Sequence, residues 1–317
     1  MSGAHTVMPF RSPRSGSDTT PRNDSMDDVL VSLRTSRDVT HNIRHKGQMR
    51  RVPSPQAVTI VLDKLSAVLF PTHYGQADLN QDAVEAFVEI TLREALILLH
   101  EQVLSALLST PDQEHLGPGE AQLKAASIVR GFAARLAEIR GDVVGDVVAA
   151  YDGDPAATGY SEILLSYPGM IAVLHYRLAR ALYLLGAKLL ARVMSQIAHS
   201  KTAIDIHPGA TIGSGFFIDH GTGVVIGETT VIGDRVRLYQ GVTLGAKSFQ
   251  TDGEGRLLKG HDRHPIIEDD VVIYAGATIL GRIVVGKGSV IGGNVWLTEA
   301  VPPGSRVVQA RMRNEHR

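Results

Sequence analysis

The chain is 317 residues long, 44% of them hydrophobic, and its formal net charge at pH 7 is -1. The balanced charge creates no field that would gather nucleic acid or an anionic membrane, and the absence of cysteine excludes disulfides, thiolate metal ligands and a cysteine nucleophile. We therefore expect a soluble, cytoplasmic protein of about two domains that acts on small molecules, without nucleic-acid or membrane partners.

The first stretch, residues 1–54, is rich in Arg, Ser, Thr and Asp and lacks a continuous apolar segment. A segment with so few large apolar residues buries too little surface to offset the entropy lost on folding. We predict a disordered N-terminal extension over these residues.

Residues 55–200 follow a helical period. In AVEAFVEITLREALILLHEQVLSALL (83–108), long aliphatic side chains recur three and four positions apart between charged ones. LGPGE (116–120) separates this helix from the next, and Pro168 with Gly169 opens the last long one. The pattern predicts a helical domain over 55–200.

Over residues 201–304 the period changes to six, with an aliphatic residue at the same position of each repeat. These residues are Ile206, Ile212, Ile218, Ile226, Ile232, Leu238, Leu244, Ile267, Ile273, Ile279, Val285, Ile291 and Leu297. One inward aliphatic on each side of a coil builds a three-sided prism of short parallel strands, with roughly eighteen residues per turn. The sequence thus predicts an α+β protein, with an N-terminal helical bundle, a parallel β-helix over 201–304 and a short tail over 305–317.

Two breaks in the six-residue register predict loops that project from the prism. The first is an eight-residue step at 218–226, which contains Asp219 and His220. The second is the polar, glycine-rich stretch at 245–266, which ends in DRHP (262–265). Loops on a rigid scaffold often carry function, so we place the candidate site at these breaks.

The motifs around these breaks resemble those of the serine O-acetyltransferases, a family of hexapeptide-repeat acyltransferases. They are GDPAA (153–157), YPG (167–169), DIHPGATIGSG (205–215), DHGTGVVIGET (219–229), GVTLGA (241–246), DRHP (262–265) and VPPG (301–304). The resemblance implies a left-handed parallel β-helix that transfers acetyl from acetyl-CoA to the hydroxyl of L-serine, the first step of cysteine biosynthesis. The alternative is a hexapeptide acetyltransferase for a sugar or another small hydroxyl acceptor, a class that usually lacks the GDPAA helical half and DRHP.

Transfer to serine requires a base, because a hydroxyl is too weak an acid to attack a thioester unaided near neutral pH. Asp205 lies fifteen residues before His220, nearly one coil back on the same side of the prism. A carboxylate bonded to the far ring nitrogen would fix the tautomer and stabilise the imidazolium. The resemblance implies that His220 is the general base and Asp205 orients it. The alternative is a structural turn His with an Asp that caps a corner.

The resemblance also implies how zwitterionic serine is held. Asp154 and Asp219 receive the ammonium, while the guanidinium of Arg263 forks onto the carboxylate. For Asp154, a helix N-cap before Pro155 is the alternative. In the family the histidine of DRHP, here His264, reaches the active site from the neighbouring subunit, and we include it as a catalytic residue.

Acetyl-CoA, as co-substrate, needs a groove lined by small residues. We select Ala246, Ala275 and Gly293, which we expect to occupy matching positions of the coil, where backbone N–H groups can pair with the amides of the pantetheine arm. Tyr274 stands where the family usually has a small residue, a departure that bears on the width of the groove.

No metal is expected. Four histidines could suggest the zinc site of a γ-class carbonic anhydrase, but the His spacing typical of that class is absent. They are His207, His220, His261 and His264.

Prisms packed about a threefold axis close the assembly and place each site between neighbours, so we expect a homotrimer. The family often pairs two trimers through the helical half. The chain ends in RMRNEHR (311–317) soon after VPPG, without the long tail and terminal Ile that family members insert into O-acetylserine sulfhydrylase. This departure argues against that partner.

Overall fold

The computed structural model describes residues 25–40, 44–45, 48–49, 52–76, 80–109, 116–248, 251–258 and 260–309. The chain forms two compact units, Met1–Arg50 and Arg51–Arg317. Residues 1–24 of the expected disordered extension and 310–317 of the expected tail lie outside the described residues.

The first unit contains a helix within the stretch for which we predicted disorder. Helix α1 spans Met26–Thr40, and the two short antiparallel strands are β1 (Arg44–His45) and β2 (Gln48–Met49). The prediction of disorder is therefore wrong for α1. The N–H of Asp28 donates to Oγ of Ser25 (3.3 Å) and the N–H of Ser25 donates to Oδ2 of Asp28 (3.2 Å), a reciprocal cap that favours the start of a helix.

The helices of the second unit follow the helical period over 55–200. They are α2 (Pro55–Leu69), α3 (Pro71–Tyr74), α4 (Gln81–Ser109), α5 (Pro118–Ala133), α6 (Leu136–Gly153), α7 (Tyr160–Ser166), α8 (Pro168–Leu184) and α9 (Lys188–Thr202). Helices α2, α3, α5 and α8 each begin with proline, whose fixed φ suits the first helical position. In the part of the chain that the structure describes, no helix has the length and apolar character needed to cross a membrane.

Short parallel strands follow α9, each two or three residues long. They are β3 (Asp205–Ile206), β4 (Thr211–Ile212), β5 (Phe217–Ile218), β6 (Val225–Ile226), β7 (Val231–Ile232), β8 (Arg237–Leu238), β9 (Thr243–Gly245), β10 (Ile266–Ile267), β11 (Val272–Ile273), β12 (Thr278–Leu280), β13 (Val284–Val285), β14 (Val290–Ile291), β15 (Trp296–Leu297) and β16 (Arg306–Val307). Every aliphatic residue of the six-residue period is the second residue of a strand from β3 to β15, and each is at most 8% exposed. The interior ladder that the period predicts is confirmed.

The strands stack into three parallel sheets. Sheet 1 contains β3, β6, β9, β12 and β15; sheet 2 contains β4, β7, β10 and β13; sheet 3 contains β5, β8, β11, β14 and β16. The chain runs from sheet 1 to sheet 2, then to sheet 3, and returns to sheet 1. We call these three connections the first, second and third corners. The three-sided β-helix of hexapeptide repeats is thus confirmed.

A column of left-handed residues turns the chain at the third corner. Gly223, Gly241, Gly276 and Asn294 have φ angles of 79°, 70°, 71° and 54°. This conformation favours Gly and Asn, because a side chain with a branched or bulky Cβ collides with the backbone there. The coils also approach closely, since a Cβ on Gly276 would lie 2.2 Å from Oδ1 of Asn294. The column fixes the path of the chain beside the candidate site.

A buried ion pair joins the helices to the first coil. Nε of Arg177, on α8, donates to Oδ2 of Asp146, on α6 (2.5 Å), and Nη2 donates to the carbonyl of Gly213 (2.9 Å). Oδ1 of Asp146 accepts from the N–H of Phe216 (2.8 Å). Burial raises the pKa of Asp146, against the opposing effect of Arg177. Helices and coil share one hydrophobic core, so residue 200 marks a change of secondary structure inside one compact unit.

Candidate active site

The third corner after β5 carries Asp219 and His220. His220 and the following Gly221 both have left-handed backbones, with φ of 58° and 89°. A Cβ on Gly221 would lie 2.4 Å from Cδ1 of Ile204, so the turn requires glycine. The imidazole of His220 projects from the coil, with 72% of its side chain exposed. The projecting turn that the broken register predicts is present.

Asp219 lies between the imidazole and a guanidinium. Its Oδ1 is 3.8 Å from Nε2 of His220, and its Oδ2 accepts a hydrogen bond of 2.7 Å from Nη2 of Arg237. The side chain of Asp219 is only 10% exposed, so bulk salt screens these interactions weakly. A cation, a carboxylate and an imidazole therefore stand in a row at this corner.

The expected hydrogen bond between Asp205 and His220 is not formed between these two described residues. Asp205 is the first residue of β3, in register with Val225. Its Oδ1 is buried and has no hydrogen-bond partner among the described residues. The spacing in sequence placed the two residues near each other along the coil, but it did not determine the direction of the ring. Asp205 retains a free acceptor.

Asp154 follows the end of α6 and faces the same corner. Its Oδ1 accepts from the N–H of Ala156 (2.8 Å) and its Oδ2 from the hydroxyl of Tyr167 (2.6 Å). The bond from Tyr167, followed by that from Ala156, holds the pKa of Asp154 below its usual value, and the positive charges of Arg237 and His220 act in the same direction. The Tyr167 bond raises the pKa of that hydroxyl to about 12. Asp154 is a C-cap and not the N-cap that we considered.

Two glycines allow the helices to approach β5 closely. A Cβ on Gly153 would lie 3.0 Å from Cδ1 of Phe217, and one on Gly169 would lie 2.2 Å from the carbonyl oxygen of Ile218. Helices α6 and α8 therefore rest on the strand that leads directly into Asp219. This contact positions the carboxylate of the GDPAA motif beside the projecting turn.

Arg237 is a site residue that the motifs did not reveal. It is the first residue of β8, in register with Phe217 of β5, so the coil repeat was the available signal. Its guanidinium carbon lies 5.1 Å from the ring centroid of Phe217 and 4.7 Å from that of Tyr239, within the range of cation–π contacts. Tyr239 stacks in turn on Tyr274, with centroids 5.0 Å apart and 13° between the ring planes. Tyr274 is half-exposed and borders the third corner.

His264 lies at the first corner, where the long loop ends before β10. Its Nδ1 accepts from the N–H of Thr229 (3.1 Å) and lies 2.8 Å from the hydroxyl oxygen of the same residue. Burial, and next the charge of Arg263, lower the pKa of His264 to about 4. The ring is therefore neutral near neutral pH.

Arg263 is held by Glu228, a residue to which we assigned no role from the sequence. Nη2 of Arg263 donates to Oε2 of Glu228 (2.7 Å), and Nη1 donates to the carbonyl of His261 (3.2 Å). The hydroxyl of Tyr183 donates to Oε1 of Glu228 (3.3 Å). Burial acts to raise the pKa of Glu228, but the bond from Arg263, the electrostatic effects of His207 and Arg263 and the bond from Tyr183 together outweigh it, and the pKa is lowered.

Arg282 fastens the DRHP segment to the coil. Nη1 donates to the carbonyls of Thr229 (2.7 Å) and His264 (3.1 Å), and Nη2 donates to Oδ2 of Asp262 (3.1 Å). The motif is thus rigidly placed although it ends a long loop.

One chain places the expected catalytic and substrate-binding residues at two different corners. Asp154, Asp219 and His220 meet at the third corner, whereas Arg263 and His264 lie at the first. Sheet 1 lies between these corners along each coil. A single chain therefore presents two halves of the expected site at opposite edges of sheet 1.

The residues selected for the acetyl-CoA groove also divide between the corners. Ala275 and Gly293 lie on successive coils of the third corner, because Ile273 is in register with Ile291. Ala246 follows β9 at the first corner. Our expectation that the three residues occupy matching positions is wrong, because a six-residue period repeats on every side of the prism and does not distinguish one side from the next.

The four histidines considered for a zinc site are spread over the coil and its long loop. His207 and His264 lie at the first corner, His220 lies at the third, and His261 precedes DRHP. Within the described ranges, no group of three or more His, Asp or Glu side chains could hold a metal ion.

Comparison with known proteins identifies the family. Residues 264–299 match the family described as "Bacterial transferase hexapeptide (six repeats)". The chain is 50% identical over 309 residues to "Serine acetyltransferase, plasmid" of Synechococcus elongatus, an alignment that covers 96% of this chain and 97% of that protein.

Two solved structures extend the comparison. Serine acetyltransferase 1 of Entamoeba histolytica, in complex with L-cysteine, is 38% identical with a TM-score of 0.70, covering 79% of this chain and 86% of that one. Soybean serine acetyltransferase complexed with serine is 31% identical with a TM-score of 0.51, covering 82% of this chain and 99% of that one. The chain belongs to the serine acetyltransferase family.

Proposed function

We propose that the protein transfers the acetyl group of acetyl-CoA to the hydroxyl of L-serine. The observation that carries the proposal is the convergence of Asp154, Asp219 and His220 at one corner of the coil. An exposed imidazole beside two carboxylates suits an acceptor that has both a hydroxyl and an ammonium group. Membership of the serine acetyltransferase family supports the same acceptor.

His220 is the general base of this reaction. Its neutral imidazole removes the hydroxyl proton of serine while the serine oxygen attacks the carbonyl carbon of the thioester. The tetrahedral intermediate collapses when the C–S bond breaks, and the proton on the imidazole passes to the sulfur of CoA. The products are O-acetylserine and CoA. Transfer is direct, since the chain has neither a cysteine nor a serine in a G-x-S-x-G nucleophile elbow to form an acyl-enzyme.

Two carboxylates support the base in different ways. Asp219, at 3.8 Å, stabilises the imidazolium that forms during transfer. Asp205 keeps a buried acceptor without a partner among the described residues, and we assign it the orienting role. The exposed ring of His220 can rotate towards it, because exposed side chains change rotamer readily.

The two ends of serine require opposite charges. Asp154 and Asp219 offer carboxylates to the ammonium, and Arg263 offers its guanidinium to the carboxylate. Arg263 has five N–H donors and uses only part of them on Glu228 and the carbonyl of His261, so donors remain for a substrate.

A homotrimer would unite the two halves of the site. Sheet 1 has the third corner along one edge and the first corner along the other, so a threefold ring can set the third corner of one copy beside the first corner of the next. His264 and Arg263 would then complete the site of a neighbouring copy. Apolar side chains on the outer side of sheet 1 support a contact there, since Val225 is 40% and Trp296 is 70% exposed in the single chain.

The cleft between two copies would also hold acetyl-CoA. Ala275 and Gly293 at the third corner of one copy would face Ala246 at the first corner of the next, so small residues line both walls. This arrangement accounts for the division of the three residues between two corners. Backbone N–H groups at these three positions would pair with the amides of the pantetheine arm.

A thiol-release assay tests the proposal. The protein is incubated with acetyl-CoA, a chromogenic thiol reagent and one acceptor from a panel of L-serine, hexoses and amino sugars. The chain contributes no background thiol, because it has no cysteine. We expect L-serine to give the highest kcat/KM and mass spectrometry to identify O-acetylserine. A higher kcat/KM with a sugar would reject serine as the substrate and favour the alternative acceptor class.

A further inference from the structure

Arg237 is packed against several neighbours. Its guanidinium lies over the rings of Phe217 and Tyr239, and Nη2 donates to Asp219 at 2.7 Å. A Cβ on Gly153 would lie 3.6 Å from Nη1, so the end of α6 also packs against this group. The side chain is 23% exposed. An arginine held this way has little freedom to follow a substrate.

Within the part of the chain that the structure describes, burial of the Arg237 side chain leaves one of its hydrogen-bond donors unpaired, which is destabilising. Its Nε is buried and has no hydrogen-bond partner among the described residues. An unsatisfied buried donor is destabilising, and native proteins keep few of them. The hydrogen bond to Asp219 is the interaction that the guanidinium gains in this position.

Several elements place charged side chains around the corner that carries His220, and Arg237 is a cation among them. Asp219 comes from the same turn, Asp154 from the end of α6, Asp205 from β3 and Arg237 from β8, while the Tyr167 hydroxyl at the start of α8 is bonded to Asp154. Two carboxylates, those of Asp219 and Asp154, therefore act near a base that must be neutral before serine binds, Asp205 lies on the preceding coil, and one guanidinium is bonded to the carboxylate next to the ring. Among the residues that the structure describes, no cation is bonded to Asp154, whose carboxylate accepts from Ala156 and Tyr167.

We propose that Arg237 is a positioning residue that commits the Asp219 carboxylate to His220 and leaves Asp154 as the principal ligand of the substrate ammonium. The inference rests on the proposed function, in which Asp154 and Asp219 both bind the ammonium, and it gives each carboxylate a different main role. Nη2 of Arg237 holds Oδ2 of Asp219 at 2.7 Å while Oδ1 lies 3.8 Å from Nε2 of His220, so the guanidinium fixes the carboxylate facing the ring.

The experiment compares Arg237→Gln with Arg235→Gln in the serine-dependent thiol-release assay. Arg235 lies on the same coil but at the second corner, where it pairs with Asp270 at 2.6 Å, so it is a matched control. Removal of the Arg237 charge favours the protonated imidazole, and we expect the acid limb of kcat/KM for serine to move to higher pH by about 0.5–1 unit. The KM for acetyl-CoA should stay as in the parent, as should the profile of Arg235→Gln. Arg237→Lys, which keeps the charge, should restore much of the parental profile.

A second comparison keeps Arg237 and tests the separate roles of Asp154 and Asp219, so the inference can be tested even if Arg237→Gln does not fold. Asp154→Asn should raise the KM for serine about tenfold more than Asp219→Asn does, because Asp154 is the carboxylate that would lose the charged hydrogen bond to the ammonium. Asp219→Asn should instead move the acid limb to lower pH. An unshifted profile in folded Arg237→Gln, or equal KM increases in the two Asp variants, would overturn the inference while serine acetylation by the parent still stands. Failure of the parent to acetylate serine would instead overturn the proposed function.

Discussion

The imidazole of His264 lies so close to Gly227 that a Cβ on Gly227 would be 2.0 Å from Cδ2 and 2.1 Å from Nε2 of the ring. The imidazole of His264, in DRHP, therefore packs directly against the Cα of Gly227, in VIGET. This contact connects two motifs from different coils of the first corner.

The substitution Gly227→Ala should therefore displace His264 and break its bond to Thr229. We expect kcat/KM for serine to fall about tenfold or more, because loss of a hydrogen bond at a functional imidazole costs about 1–3 kcal/mol. Gly119→Ala is the control, since a Cβ there would meet nothing within 4 Å. Parental activity of Gly227→Ala would contradict a role for the seated ring.

Two glycines of α6 form a matched pair. A Cβ on Gly141 would meet nothing within 4 Å, so Gly141→Ala should raise the free energy of unfolding by about 0.5–1 kcal/mol through helix propensity. Gly153→Ala should lower it by about 1–3 kcal/mol through overpacking against Phe217, and should raise the KM for serine by shifting Asp154. Urea denaturation and serine kinetics measure both effects. If both substitutions raised the free energy of unfolding, the close packing of Gly153 of α6 against Phe217 of β5 would be contradicted.

Replacement of the base should separate chemistry from folding. We expect His220→Ala to lower kcat by about 10²–10⁴-fold, the usual contribution of a general base. The ring is 72% exposed, so the Tm should change little, and the KM for acetyl-CoA should be preserved. Circular dichroism melting and steady-state kinetics give these values. Turnover close to the parental rate would remove His220 as the base.

Substitution of Arg263 tests the carboxylate contact. Arg263→Ala should raise the KM for serine by about 10–100-fold and that for acetyl-CoA much less, because a charged hydrogen bond is worth about 1.5–3 kcal/mol. Arg256→Ala is a suitable control, since Arg256 lies in the same loop, is exposed and pairs with Glu254. Equal increases in the two KM values would refute the assignment.

Stability should fall at mildly acidic pH because of buried histidine. Burial lowers the pKa of His175 from 6.5 to about 4. Between these values the unfolded chain binds a proton that the folded chain excludes, so the contribution is complete above pH 6.5 and is lost as the pH falls towards 4. At about 1.4 kcal/mol per pH unit, the full loss is about 3 kcal/mol.

Urea denaturation between pH 6.5 and pH 5 measures this slope. His175→Gln should reduce it, whereas the same substitution at exposed His199 should not. Part of the slope should persist, because burial also lowers the pKa values of His207 and His264 to about 4. A parental slope in His175→Gln would show that the proton is taken up elsewhere.

The strands of the coil could be predicted from the sequence because their period is local. An inward aliphatic every six residues requires no knowledge of distant contacts, and every such residue is buried. Asp219 and His220 could be located for the same reason, since a broken period marks a projecting turn. Helix α1 was missed because its capping by Ser25 and Asp28 is a short signal in a polar stretch.

The remaining parts of the site depend on direction and on contacts across the coil. The spacing of Asp205 and His220 predicts proximity, but the left-handed backbone of His220 and the rotamer of its ring decide whether they bond. Arg237 could be identified only through its register with Phe217 on the preceding coil. Ala246 was expected to match Ala275 and Gly293, because a period that is the same on all three sides does not tell one corner from another.

In the proposed trimer, the separation of His220 from His264 by the width of sheet 1 would make each chain contribute one half to each of two active sites. In such a trimer, a copy in which His264 is substituted would inactivate the site that it shares with a neighbour, although the His220 of that neighbour is intact. The His220 of the substituted copy would remain active, because it works with the His264 of the third copy. A mutation of His264 would therefore reduce catalysis at the His220 of a neighbouring subunit and not at the His220 of its own chain.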